Sequence, residues 1–346
     1  MKTLQLSAIA LTAIGLAFCS DASAAEPVKA GKPVEFPEKI LKAWKAAGAE
    51  PGWMRKKEAG HTGFLIDIER VAADELPAFE MHKVKPGALA ALPDPGIPFG
   101  LRFNFSDITD DGIKELVGLK SLTVLNLSST KVTGAAFKSV AELPNLEALY
   151  LAYNNERITG AGLGELAKLK KLRQLDLGVT ETNNAGMKEL AKLEGLTRLS
   201  LYYTKISDAG MAELAGLKGL VWLNMDRAPV GDAAMKIVGQ NKDLQTLNLF
   251  QVKITDAGVK ELAGLQKLEK LTLSHSKLTD ACVKDLAGMK GLRTLELSST
   301  GVTYAGVKEH SEAFQGLKLL GVNFAKPSGV SIEELKRALP KCTVNY

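Results

Sequence analysis

The sequence predicts an α/β solenoid: a right-handed horseshoe with a parallel sheet on its concave face and short helices on its convex face. Three observations lead to that class. The first is a pattern, L-x-x-L-x-L, that begins at Leu122, Leu146, Leu172, Leu196, Leu220, Leu244, Leu268, Leu292 and Leu317, in steps of 24, 26, 24, 24, 24, 24, 24 and 25 residues. Self-similarity at a fixed period of this size marks stacked repeats. Met225 and Val322 replace the last leucine in two copies. The second is what each copy contains. Leu-x-Leu alternation makes a short strand with one buried face, and after a turn comes a core aliphatic residue: Val132, Ile158, Ile206, Val230, Ile254, Leu278 and Val302. The third is a helix start. Thr109-Asp110, Ser207-Asp208, Thr255-Asp256 and Thr279-Asp280 each place an oxygen cap before an acid on the positive end of a helix dipole. Apolar residues at helical spacing follow, as in Met211, Leu214 and Leu217.

One such unit cannot bury its own leucines, so neighbours stack and the strands form the inner sheet. Partial copies flank the nine full ones: Leu101, Phe103 and Ile108 before them, Cys342 and Val344 at the end. The repeat domain is therefore 98–346. Residues 25–97 carry no repeat. A Lys- and Pro-rich leader, Ala25 to Val34, precedes a helix from Pro37 to Ala47 with Ile40, Leu41 and Trp44 on one face. A strand is expected from Gly63 to Val71, and Pro93, Pro95 and Pro98 mark an irregular approach to the first rung. Solenoid ends expose their cores, so this segment is expected to cap the first rung with Trp44 and Trp53.

Residues 1–24 read as a signal peptide. Lys2 gives a positive start, Leu6 to Phe18 a short apolar run, and Ala22-Ser23-Ala24 a small-residue cleavage site, so the mature chain is expected to begin near Ala25 and to be exported, periplasmic or secreted. The apolar run is too short to span a bilayer. Leu16-Ala17-Phe18-Cys19 resembles a lipobox, but Phe18 stands where that motif takes a small residue.

The formal net charge of +5, from 44 basic and 39 acidic residues, is too mild and too interleaved to argue for nucleic acid. Cys282 and Cys342 remain after Cys19. Their repeat positions lie about three rungs apart, some ~15 Å at ~4.8 Å per rung, beyond the reach of a disulfide, so both are expected to be free.

These motifs resemble the leucine-rich-repeat superfamily over residues 98–346. Within it, T-x-I-T-D-A-G-h-K-E-L-A-x-L is similar to the Thr-bearing bacterial relatives of the cysteine-containing class known from F-box proteins. The whole resembles secreted repeat proteins of planctomycete-type bacteria. The resemblance implies a side-chain ladder at Thr130, Asn154, Thr180, Thr204, Ser276 and Thr300, broken at Ala228, Val252 and Ala325. It implies little about activity, and an F-box role conflicts with the signal peptide.

No catalytic or metal motif stands out. His61, His82, His275 and His310 form no metal-binding spacing, no C-x-x-C occurs, and neither a P-loop nor G-x-S-x-G is present. No cofactor and no enzymatic activity are expected. Gly160-Ala-Gly162 falls where other copies have Asp-x-Gly and reads as a repeat turn, and pairs such as Lys188-Glu189 and Lys260-Glu261 read as solvated helix faces.

The concave face carries the functional expectation. Residues between and just after the strand leucines point away from the core. On the middle rungs these include Tyr150, Tyr153, Asp176, Arg198, Tyr202, Tyr203, Trp222, Asp226, Arg227 and Phe250, whereas the end rungs are small and polar. Aromatics interleaved with Arg are the residues of interface hot spots. Aromatics on a sheet can equally pack on each other across rungs. The patch measures roughly 400 Å², about half of a standard stable interface per partner. The chain is therefore expected to be a monomeric binding protein for a protein or peptide, with a glycan on the same patch as one alternative and a structural or assembly role in the cell envelope as another.

Overall fold

The structure is a computed structural model of the full chain, described for residues 35–54, 64–65, 75–323 and 329–346. Calls made on the signal peptide, the leader and Ala325 lie outside the described residues. Among the described residues, fourteen strands form one open sheet: β1 (Glu50–Met54), β2 (Phe64–Leu65), β3 (Leu76–Glu80), β4 (Phe99–Arg102), β5 (Leu122–Asn126), β6 (Ala148–Tyr150), β7 (Gln174–Asp176), β8 (Arg198–Ser200), β9 (Trp222–Asn224), β10 (Thr246–Asn248), β11 (Lys270–Thr272), β12 (Thr294–Glu296), β13 (Leu319–Gly321) and β14 (Thr343–Asn345). From β3 onward every neighbour pair is parallel and in sequence order. β1 closes the sheet antiparallel to β3, and β2 pairs antiparallel with β1. The architecture is the expected leucine-rich-repeat horseshoe.

Register carries the fold. Phe79, Leu101, Leu125, Leu149, Leu175, Leu199, Leu223, Leu247, Leu271, Leu295, Leu320 and Val344 form one unbroken column of paired positions, and all but Val344 are essentially inaccessible. Val344 thus takes the central leucine position, which corrects the expected alignment of the last rung. Cys342 precedes the strand and is half-buried, while Cys282 is buried, and both thiols are free. Burial pushes Cys282 up to about 12.

The convex side holds short α- and 3-10 segments, such as Asn184–Leu190, Asp232–Val238 and Asp256–Leu262. Of the predicted caps, Thr255 and Thr279 accept from the backbone N–H two residues on, whereas the Thr109 and Ser207 side chains make no capping bond. The following acid does more than meet a dipole. Asp232 accepts from the Thr255 N–H at 2.8 Å and its hydroxyl at 2.7 Å, one repeat later. Asp110, Asp256 and Asp280 hold Thr133, Thr279 and Thr303 the same way, and Asn184 holds Ser207. This is a convex staple between repeats. The ladder implied by family resemblance is more local. Thr130, Thr180, Thr204 and Thr300 bond a carbonyl three residues back in their own turn. Asn154 joins two turns, through the Leu127 and Leu151 carbonyls, and Ser276 reaches back to Val252.

The N-terminal end is covered by α1 (Glu38–Ala46), which buries Ile40 and Trp44 as expected. Trp44 stacks on Phe79 at 4.4 Å, Phe36 stacks on the same ring at 4.2 Å, and Phe99 meets both edge-on. The Trp44 indole N–H donates to the Pro93 carbonyl, tying the cover to the proline-rich approach. Trp53 is only half-buried, so Trp44 and three phenylalanines form the cap rather than the expected tryptophan pair. Of the strand expected over Gly63–Val71, Phe64–Leu65 is within the described residues.

Two outcomes follow for stability. Asp232→Ala removes two charge-assisted bonds between repeats, and is expected to cost ~1.5–3 kcal/mol with an unchanged denaturant slope. Trp44→Ala opens the aromatic cap, with an expected cost of ~3–5 kcal/mol. Because repeats contact only neighbours, hydrogen exchange should accelerate first in β3–β5 while β10–β12 stay protected.

Candidate binding surface

The parallel register arranges the concave face as a lattice. Each rung contributes the two residues that flank its central leucine, then one after the second strand leucine, then one in the turn. The second column includes Asn126, Asp176, Asn224 and Asn248. Each uses its side-chain Oδ1 to accept the backbone N–H two residues on, which starts the turn.

The turn residue has a shared conformation. Phe105, Ser129, Tyr153, Val179, Tyr203, Arg227, Gln251, His275 and Ser299 all have φ between 51° and 64°. That left-handed region is uncommon for bulky residues and a true outlier for a β-branched one such as Val179. The ladder holds them there. Their N–H groups donate to the next rung, as from Tyr153 to Gly178 and from Tyr203 to Asp226. The side chain is consequently thrown outward at the rim of the sheet.

The ten expected site residues divide on this lattice. Tyr150 and Asp176 lie on the concave side but are each only 2% exposed, which corrects their reading as outward groups free to touch a ligand. Tyr150 packs with Met54, Leu76, Ala78, Val124 and Ala148 in a second apolar cluster above the N-terminal strands. Tyr202 is half-buried, lying across Gly178, where a Cβ would overlap its ring, and meeting Tyr153 edge-on at 6.0 Å. Arg198 sits over the Trp222 ring at 5.2 Å, and Arg227 sits over Phe250 at 5.2 Å. Arg227 also donates to Gln251 at 2.7 Å and pairs with Asp226 at 3.6 Å. Tyr153 and Tyr203 remain open, at 49% and 54% exposure.

Two residues outside the sequence-based set join the surface. Phe105, 76% exposed, extends the rim by two rungs, and its signal was the partial copy before the first full repeat. His275 meets Phe250 edge-on at 5.0 Å.

The floor of the patch is electrostatically unfinished. Asp176 Oδ1 accepts from Gly178. Asp226 Oδ1 and Arg198 Nε are buried without a hydrogen-bond partner among the described residues, and the Ser200 hydroxyl lies beside the second Asp176 oxygen. Desolvation raises the Asp176 carboxyl to about 6, against the lowering effect of the Gly178 N–H and the nearby Ser200 hydroxyl. Asp226 is raised by burial too, with Arg227 opposing. Burial and the Asp176 charge push the Tyr150 and Tyr202 phenols well above their usual range. Two hollows of about 290 and 250 Å³ lie away from this floor, one around Leu169 and Glu194, the other around Ser121 and Lys171.

The comparisons with known proteins agree on the scaffold. A family model described as a leucine-rich repeat matches residues 240–263. An internalin, InlF, from Listeria monocytogenes superposes with a TM-score of 0.58 at 16% identity, over 90% of this chain and 94% of its own. Internalin C2 of the same organism gives 0.50 at 22% identity, over 79% of this chain and 100% of its own. A leucine-rich-repeat protein of Leptospira interrogans gives 0.56 at 22% identity, over 77% and 76%. No curated protein sequence matches the chain. At these identities the likeness concerns the fold.

Asp176 gives a pH test. Its folded pKa, about 6, exceeds an unfolded value near ~3.9. The folded state therefore binds the extra proton, and stability should fall as pH rises from about 4 to about 6, by up to ~3 kcal/mol from this group. Asp176→Asn keeps an acceptor for the Gly178 N–H and removes the charge. It should be more stable than the parent at pH 7.5 and lose that portion of the pH dependence, as measured by denaturant titrations across pH 4–8.

Proposed function

We propose that this protein is a non-catalytic, extracytoplasmic binding module that recognises a protein or peptide through the concave face of rungs two to six and the adjoining rim. The observation that carries the reading is the unfinished floor: a band of Tyr, Trp, Phe and Arg over buried polar atoms that lack partners. Unpaired buried polar groups cost stability, and a fold keeps such a cost most readily where a ligand supplies the missing partners. The band is compact, which suits a small or extended contact more than a broad globular one. Binding rather than catalysis is favoured by what surrounds the raised carboxyls: Asp176 and Asp226 face tyrosines and arginine, with the Ser200 hydroxyl the nearest candidate nucleophile and itself buried. The extracytoplasmic placement rests on the Lys2 to Ala24 signal pattern. Among the described residues no helix is long and apolar enough to cross a membrane.

The test uses the mature chain, from Ala25, as bait in an envelope extract, beside Tyr203→Ala with Trp222→Ala. A partner captured by the parent should be lost, or weakened by tenfold or more, in the double variant, with circular dichroism unchanged. Equal capture by both would remove the patch from the function.

A further inference from the structure

The rim of left-handed residues has a pattern of its own. Its first five positions read Phe105, Ser129, Tyr153, Val179, Tyr203, an aromatic ring alternating with a smaller side chain, before Arg227 ends the alternation. The three rings are the open ones, and Ser129 and Val179 between them are half-buried. Each smaller residue thus stands between two exposed rings, a position we call a notch. Beside the second notch the Tyr202 ring lies across Gly178 and meets Tyr153 edge-on.

The spacing of the notches is set by the ladder. Rim N–H groups bond to the next rung at 2.8–3.1 Å from Phe105 through Tyr203, so the ~4.8 Å strand separation persists at the rim. The notches therefore repeat every two rungs, about 9.6 Å. A polyproline II helix advances ~3.1 Å per residue with three residues per turn, so one face repeats every ~9.3 Å. A β-strand ligand repeats a face every ~6.7 Å, and an α-helix every ~5.4 Å turn. Neither matches one notch per repeat.

The chemistry agrees with the spacing. Aromatic-walled slots accept proline because its rigid ring packs flat on them, and its helix is formed before binding, so little entropy is lost. The Ser129 hydroxyl and the tyrosine hydroxyls offer donors, and polyproline II carbonyls have no internal partner. The charges beside the rim alternate in sign, Lys131, Glu156, Arg157, Glu181, Lys205, and Lys205 pairs with Glu181 at 3.6 Å, so the rim exerts no strong field. Bulky side chains also occupy a backbone conformation that glycine or asparagine adopts at lower cost.

We propose that the Phe105–Tyr153–Tyr203 rim is a docking site for an extended, proline-rich peptide segment in the polyproline II conformation, with a proline-bearing step in each of the two notches. The proposal rests on the binding role above and names the chemical class of its partner.

The experiment titrates the mature chain with a proline decamer and with an (Ala-Pro-Pro)₄ peptide, following heat and intrinsic fluorescence, against a Gly-Ser peptide of equal length. Cello- and chito-oligosaccharides form a separate arm. Both proline peptides should bind, the Gly-Ser peptide at least tenfold more weakly, with little change between 50 mM and 500 mM salt. Phe105→Asn and Tyr153→Asn should each weaken binding by tenfold or more while melting temperature stays equal or rises, because asparagine tolerates left-handed φ. Ser129→Phe should fill the first notch and abolish binding. Arg198→Ala, on the floor, should leave it intact. No binding of either proline peptide, or binding untouched by the rim variants, overturns the proposal, as does saturable binding of oligosaccharide alone. Capture of a partner that the Tyr203→Ala/Trp222→Ala pair abolishes, with no proline-peptide binding, would overturn this proposal and leave the binding role standing.

Discussion

Every rung of this solenoid has to hide its leucines against the next, and the parallel register is what enforces it. A single repeat offers a three-residue strand and one helical turn or two, far too little to bury an apolar stripe alone. Stacking makes one column of twelve central residues from Phe79 to Val344. The period of two in a strand then decides everything on the other face, since a slip of one residue would exchange core and surface. The Asp–Thr staples on the convex side hold the same register from outside.

The register also creates the rim. β5, β7, β9 and β10 end in an Asx-type turn, and on every rung from Phe105 to Ser299 the turn residue takes a positive φ from which its N–H reaches the following rung. The conformation is a by-product of the ladder, but which side chains stand there is not. Phe, Tyr, Val and Arg occupy positions where a small flexible residue would cost less. Structure imposes the backbone, and the unusual occupants are what call for a functional account.

The floor behaves differently from the rim. Tyr202 over Gly178, Arg198 over Trp222 and Arg227 over Phe250 show aromatics and cations packing across rungs. Mutual packing across rungs holds on the floor, while the rim rings of Tyr153 and Tyr203 stand open. The cost is concentrated at Asp176, a fully buried carboxyl that the Gly178 N–H and the Ser200 hydroxyl only partly compensate. The phenols of Tyr150 and Tyr202 stand close enough to feel its charge.

The repeat, the Thr255 and Thr279 caps and the lattice of concave positions were legible in the amino-acid sequence, because each rests on local periodicity and on residue types with fixed conformational habits. That Thr255 would cap a helix needs only Thr255 and its neighbours. That Asp232 would hold Thr255 needs two repeats side by side. Exposure needed the same. Tyr150 and Tyr153 belong to one rung and read alike as outward aromatics, yet one is buried under the N-terminal strands and the other stands open at the rim. Phe105 went unread because its rung carries only part of the motif. The sequence alone determined the columns; tertiary packing decided which of their side chains meet solvent, because burial depends on neighbours 24 or more residues away that no local pattern contains.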